Sequence, residues 1–248
     1  MKNNNKFRLD VWGAITLGTI ALYALFLLYP MAYLIRQSVL DPDTGGFTLA
    51  YFTKFFSKSY YFDTLINSFK VSITATVLSI AIGTPLAYLF TIFKIKGKSV
   101  LNILIVVASM SAPFIGAYSW ILLLGRSGVI TAFFKNLGIA IPDIYGFGGI
   151  VLVMTLQLFP LVFLYAKGAL KNIDNSLIEA AENLGCSGIV CFFKVVVPLI
   201  MPTLLAAALL VFMRSFADFG TPMLIGEGYR TFPVVLYLSL IHISEPTR

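Results

Sequence analysis

Five stretches of this chain are apolar for about 20 residues or more: 11–35, 68–93, 100–124, 147–166 and 199 to about 220. A helix of about 20 residues crosses the roughly 30 Å hydrocarbon core of a bilayer, so each run is a predicted span. In lipid the backbone N–H and C=O groups have no water to pair with, and only helices or closed barrels satisfy them. The alternating pattern of barrel strands is absent. The chain is therefore predicted to be all-α, a polytopic transmembrane helical bundle with five full spans. Its 58% hydrophobic and 12% charged residues agree, since soluble domains carry about half and about a quarter.

The first run follows Lys2, Lys6 and Arg8. It is too long for the apolar region of a secretory signal and no small-residue cleavage site follows it, so it is predicted to be a retained span. A sixth run, FPVVLYLSLIHI, begins at Phe232 and has about half the length a span needs. The tail SLIHISEPTR resembles a peptide produced when sequencing-adapter bases are translated. The natural sequence is expected to end near Tyr237, leaving a truncated sixth span and an artefactual tail at 238–248.

The net charge of +7 does not form the long basic tract that a nucleic-acid partner requires. The bases sit in small groups at the ends of apolar runs: Lys2, Lys6 and Arg8, then Lys94, Lys96 and Lys98, then Lys167, Lys171 and Lys194. If the spans alternate, these groups fall on one side, which the positive-inside rule makes cytoplasmic. Residues 1–10 are then a cytoplasmic N-terminus, 11–237 the transmembrane domain and 167–198 a cytoplasmic loop. The opposite loops carry Arg36, Lys54, Lys58, Arg126 and Lys135 in longer segments mixed with Asp41, Asp43, Asp63 and Asp143.

Pro30, Pro85, Pro113, Pro160 and Pro202 lie inside the runs, with Gly83, Ser109, Ser111, Gly116 and Gln157. Neighbouring helices re-satisfy backbone groups freed by proline, and small side chains allow close approach. Such helices suit a moving pathway and also occur in inert bundles. Arg214 and Asp218, four apart, are expected on one helix face near the outer end of the fifth run. Ionisable groups within a span cost free energy and face protein or water. Two readings stand: a mutually neutralising pair with Arg214 snorkelling outward, or a translocation path in which Arg214 helps to pass an anion or a carboxylate-coordinated metal.

The cytoplasmic loop contains EAAENLGCSGIVCFFKVVVPLIMP, residues 179–202. Asn175 or Ser176 is expected to cap a short helix carrying Glu179 and Glu182 near its positive end. Ala180 and Ala181 leave part of its surface flat, and Gly185 suits the left-handed position that ends a helix. Val190, Phe193, Val196 and Val197 give a second, surface-lying helix an apolar side until Pro198 returns the chain to the membrane. Such a segment is either a solvated connector or a plug for another protein's groove. Cys186 and Cys191, without histidines nearby, read as packing residues.

The spacing Glu179-Ala180-Ala181, three residues, Gly185, nine residues, Val195-Val196-Val197-Pro198 resembles the EAA signature of ABC importer permeases, with Val where Ile and Leu are usual. The resemblance covers at least residues 65–237 and implies a type I permease fold. It also implies that Glu179, Ala180, Ala181 and Gly185 couple the spans to a separate ATPase subunit, which would bind ATP and Mg. No cofactor is expected in this chain. An extracytoplasmic solute-binding protein, a second permease half and the lipid of a bacterial-type inner membrane are the other implied partners. The strings SFADFGTPMLIG and GYRTFPVVLY further resemble the ferric-iron type, in which two six-span halves are fused, so an N-terminal half is expected. Similar sequences serve polyamine, phosphonate, sulfate and thiamine import.

No G-x-x-x-x-G-K-[ST] phosphate loop occurs, GRSGVIT at 125–131 lacking the lysine and the spacing. The lone histidine, His242, lies in the odd tail, and no catalytic constellation can be assembled. The chain is not expected to be an enzyme. The rival classes are a secondary transporter, which would favour acids deep in spans and repeated halves, and a scaffold subunit with the motif by chance. Sequencing the locus through codon 237 is expected to give an uninterrupted frame with a second six-span half beside ATPase and binding-protein genes. A stop after Arg248 without such neighbours would reopen both rivals.

Overall fold

The computed structural model describes residues 11–41, 45–93, 96–110, 112–139, 142–183 and 185–244. The expected cytoplasmic N-terminus at 1–10, part of the KIKGK turn and the end of the tail lie outside the described residues. Among the described residues five helices are long and apolar enough to cross a membrane. The expected helical bundle is what the chain forms.

Residues 1–62 make one unit. Helix α1, Val11–Ser38, is long and apolar with a mean hydropathy of 2.0 and no buried residue. It widens into a π-turn at Ala24–Leu28, where the Tyr29 N–H donates to the Ala24 carbonyl. The turn ends two residues before Pro30. A proline inside a helix removes one donor and crowds the carbonyl four residues earlier, and the wider turn absorbs both defects. A single bridge, Leu40 to Phe47, precedes the short helix α2, Ala50–Ser57.

Residues 63–248 make the second unit. Its long helix, α3 (Ser59–Ile92), begins in the first. Its buried side is made mainly of small and hydroxyl residues, among them Ser68, Ser72, Ala75, Ser79, Gly83 and Ala87, because helices in lipid gain nothing by hiding leucine and gain contact by coming close. The predicted third run is not one helix. It divides into α4, Lys98–Ser109, and α5, Pro113–Leu124. Pro113 forces Ala112 out of helical geometry, to φ −67° and ψ 142°. The span-length stretch here is instead Pro113–Asn136, which includes the short helix α6, Val129–Asn136.

Helix α7, Phe147–Lys171, is the most enclosed of the five. After it come α8, Asn175–Asn183, and α9, Gly188–Phe216. The end of the unit is formed by α10, Gly220–Ile225, and α11, Phe232–Ser244. Two apolar clusters meet on α7. One joins Val71 and Ala75 of α3, Ala117 of α5, and Ile150 and Met154. The other joins Phe90 of α3, Phe163 and Leu170 of α7, and Phe192, Val196 and Ile200 of α9. Phe90 meets Phe163 edge-on at 5.2 Å between ring centres. At the far end Arg126 ties three loops, with one ion pair to Asp143 at 3.0 Å and another to Glu227 at 2.9 Å.

The segment around Pro198 departs from expectation. No separate surface helix ends there. Gly188 to Phe216 is continuous, with a π-turn at Phe192–Val196 in which the Val197 N–H reaches back to the Phe192 carbonyl. The inward side is Cys191, Phe192, Val196, Ile200, Leu204, Ala207 and Val211, whereas Val190 and Phe193 are exposed. Periodicity misleads here because the outward side of a membrane helix is also apolar.

At the start of α8, Asp174 accepts the Ser176 N–H on its carboxylate at 3.0 Å; the expected cap from the Asn175 side chain lies outside the described residues. Hydrogen bonds from Ser176, first its backbone N–H and then its hydroxyl, hold the Asp174 carboxyl below its ordinary value.

Two consequences are measurable. A Cβ on Gly83 would lie 2.9 Å from the Phe159 carbonyl oxygen and 2.9 Å from the Val162 Cβ. Gly83→Val is expected to cost about 1–3 kcal/mol by overpacking, read as a lowered melting temperature in detergent, with Gly83→Ala costing less. Because the folded Asp174 has the lower pKa, its cap is present above the ordinary carboxylate range and is lost as pH falls through the lowered value. The protection of the Ser176 amide, its exchange rate compared with that of an unstructured amide at the same pH, should fall with acid in wild type and be low at every pH in Asp174→Ala. Asp174→Asn should protect without pH dependence.

Candidate functional site

Two regions of the second unit hold the residues singled out by sequence. The first is α8 and the turn after it. Glu179 and Ala180 are exposed and Ala181 is half-buried. Ile173 and Ile178 pack on the cluster containing Leu170, Phe192 and Val196, so the helix is moored by one side while Glu179 and Ala180 remain outside. The helix ends as the spacing requires: Gly185 has φ +83°, and the Cys186 N–H donates to the Ala181 carbonyl at 3.1 Å. That five-residue reach is one of the two bonds of a Schellman closure. Nothing lies within 4 Å of a Cβ placed on Gly185, so the backbone conformation, rather than space, is what demands glycine. Ser187 is extended, at φ −71° and ψ 154°, and α9 begins at once. Cys191 is buried and Cys186 half-buried, and they are not bridged.

The second region lies on α7 between the two apolar clusters, against the break separating α4 from α5. A cavity of about 460 Å³ is lined by Ser109, Pro113, Phe114, Gln157, Leu158, Arg214, Ala217, Asp218, Phe219 and Gly220. A second, of about 430 Å³, is lined by Ser109, Met110, Gln157, Leu158, Leu161 and Arg214. A third, of about 300 Å³, includes Ala108, Gly116, Ser119, Trp120 and again Gln157. Gln157 is common to all three. It stood in the sequence as one polar residue in an apolar run, and only the fold brings it beside Ser109 and Arg214.

Arg214 and Asp218 line the same cavity, but not as an i, i+4 pair. Helix α9 ends at Phe216, with the Ala217 N–H donating to the Met213 carbonyl at 3.0 Å. Asp218 therefore leaves the helical register, and its carboxylate accepts the Gly220 N–H at 3.0 Å, at the start of α10. Among the described residues no ion pair joins Arg214 to Asp218 within 4 Å. Among the described residues no group of three His, Cys, Asp or Glu side chains is placed to hold a metal ion.

Known proteins resemble this chain in sequence and in fold. Residues 46–241 match the family described as binding-protein-dependent transport system inner membrane component. A putative ferric transport system permease protein, FbpB 1, of Haemophilus influenzae is 28% identical over 220 residues, covering 88% of this chain and 34% of its own. The spermidine/putrescine transport system permease protein PotB of the same organism is 28% identical over 232 residues, covering 90% of this chain and 79% of its own. The chain thus spans about a third of the ferric relative's length. Two solved structures of a bacterial alginate ABC transporter share the fold. One is 18% identical with a TM-score of 0.72 over 94% of this chain and 85% of that chain. The other, in complex with an alginate pentasaccharide-bound periplasmic protein, is 17% identical with a TM-score of 0.76 over 94% and 84%. With residues 46–241 of 248 matched to that family, the chain belongs to the binding-protein-dependent transport system inner membrane components.

Proposed function

We propose that this chain is the membrane permease of an ATP-driven importer, that a separate ABC ATPase subunit docks on α8, and that the cavities around Gln157 belong to the solute pathway. The observation that carries this is the exposed Glu179–Ala180 side of α8, moored by Ile178 to the bundle and followed by a helix running unbroken from Gly188 to Phe216. Movement imposed on α8 passes through the Gly185 turn into α9, which ends at the cavity. Glu179 meets a base on the ATPase, Ala180 and Ala181 provide the flat contact, and Gly185 permits the turn. ATP and Mg²⁺ are held by that partner, where hydrolysis takes place, and this chain is not itself the enzyme.

The remaining partners belong to the same proposal. An extracytoplasmic solute-binding protein delivers the solute, in keeping with the periplasmic protein bound in the alginate transporter complex. A second permease half, fused or separate, completes the pathway. The 34% coverage of the ferric relative supports a fused arrangement. The setting is a bacterial-type inner membrane, with the N-terminus and α8 in the cytoplasm as the positive-inside rule directs. Ferric iron is the favoured solute, on the match to the ferric permeases. The polyamine reading has its own support, since PotB matches over 79% of its length.

Gly185 gives the sharpest test. A β-branched residue is a poor fit to φ +83°, and the left-handed conformation costs a residue with a Cβ roughly 1–2 kcal/mol, least for asparagine. Gly185→Val and Ala181→Trp are expected to reach the membrane in normal amount and to lose uptake together with ATP hydrolysis stimulated by the binding protein. Gly185→Asn should retain more of both. Normal transport by Gly185→Val would remove the turn from coupling.

A further inference from the structure

We infer that Arg214 is an anion-recognition residue of the pathway, and that the solute passing these cavities presents a carboxylate- or phosphate-type oxyanion, free or wrapped around a metal ion. This rests on the importer reading and names the chemistry that reading leaves open. A guanidinium offers five donors in a planar fork. Arg214 is exposed in the last turn of α9, and a charge on a membrane-spanning helix calls for water or an answering group. The acid four residues away is not that group. Asp218 lies beyond the end of α9 and takes the Gly220 N–H, and Arg214 has no hydrogen-bonding or ion-pairing partner among the described residues.

The lining fits the same conclusion. Arg214 borders both the 460 Å³ and the 430 Å³ cavities, and in the second it is the one charged lining residue. Ser109, Gln157 and Leu158 are the other residues common to both, so two uncharged hydrogen-bonding side chains accompany the guanidinium in each space. Volumes of this order suit a small solute. A linear polycation would need several carboxylates along its length; these two cavities have Asp218 alone, opposite a cation of the solute's own sign. A carboxylate or phosphate meets the arginine fork with two parallel hydrogen bonds, and on leaving it exposes the cation to the next arrival.

The test uses the intact transporter with its ATPase, reconstituted in liposomes. It is treated with p-hydroxyphenylglyoxal, which modifies arginine, and the adduct at each arginine is quantified by peptide mass spectrometry. Inorganic phosphate, citrate and spermidine are the probes. Phosphate or citrate is expected to slow modification of Arg214 several-fold while leaving Arg126 and Arg230 unchanged, and spermidine should not slow it. The more protective of the two separates phosphate from carboxylate recognition. An Arg214 rate unchanged by both anions, or protection by spermidine, would overturn the inference. ATP hydrolysis stimulated by the binding protein is measured in the same preparation. Stimulation without anion protection sinks the anion inference alone, whereas absence of stimulation sinks the importer reading and the inference with it.

Discussion

What holds this bundle together is close approach between helices that have nothing to gain by hiding from lipid. In water, burying leucine drives association; in hydrocarbon the outside is as apolar as the inside, and contact area between backbones takes over. Gly83 lets α3 lie against the Phe159 carbonyl and the Val162 side chain of α7, and the serines and threonines beside it extend the same seam. Large apolar residues such as Phe69, Ile73 and Val77 point outward instead. The cavities open where this packing pauses, at Gln157, between the cluster around Met154 and the cluster around Phe163.

This inversion explains what was legible beforehand. Span number and type followed from length and hydropathy, because backbone satisfaction in lipid leaves few alternatives. Which side of a span faces inward did not follow. Val190 and Phe193 are as apolar as Phe192 and Val196, yet the first two are exposed and the second two buried. Proline was ambiguous in the same way. Pro113 ends one helix and begins another, whereas Pro198 lies within a continuous helix because a π-turn precedes it.

The end of α8 was readable because its signal is local. A glycine four residues after Ala181 needs no distant partner to be recognised, and Gly185 does take the left-handed conformation, at φ +83°. At the start of the helix Asp174, which accepts the Ser176 N–H, was not foreseen. The cavity was much less readable. Ser109, Gln157 and Arg214 come from three separate helices, and the apparent Arg214–Asp218 pair dissolves because α9 stops two residues before the aspartate. Periodicity carries no information about where a helix will end.

The unbroken course of α9 has a mechanical consequence. From Gly188 to Arg214 the helix is roughly 39 Å long at about 1.5 Å per residue, with the Gly185 turn at one end and the cavity at the other. Acting as a rigid lever, it turns a tilt of about 5° into a displacement of roughly 3 Å at Arg214, about the length of one hydrogen bond. A rotation too small to disturb the packing of the surrounding helices is therefore enough to make or break a single contact in the cavity.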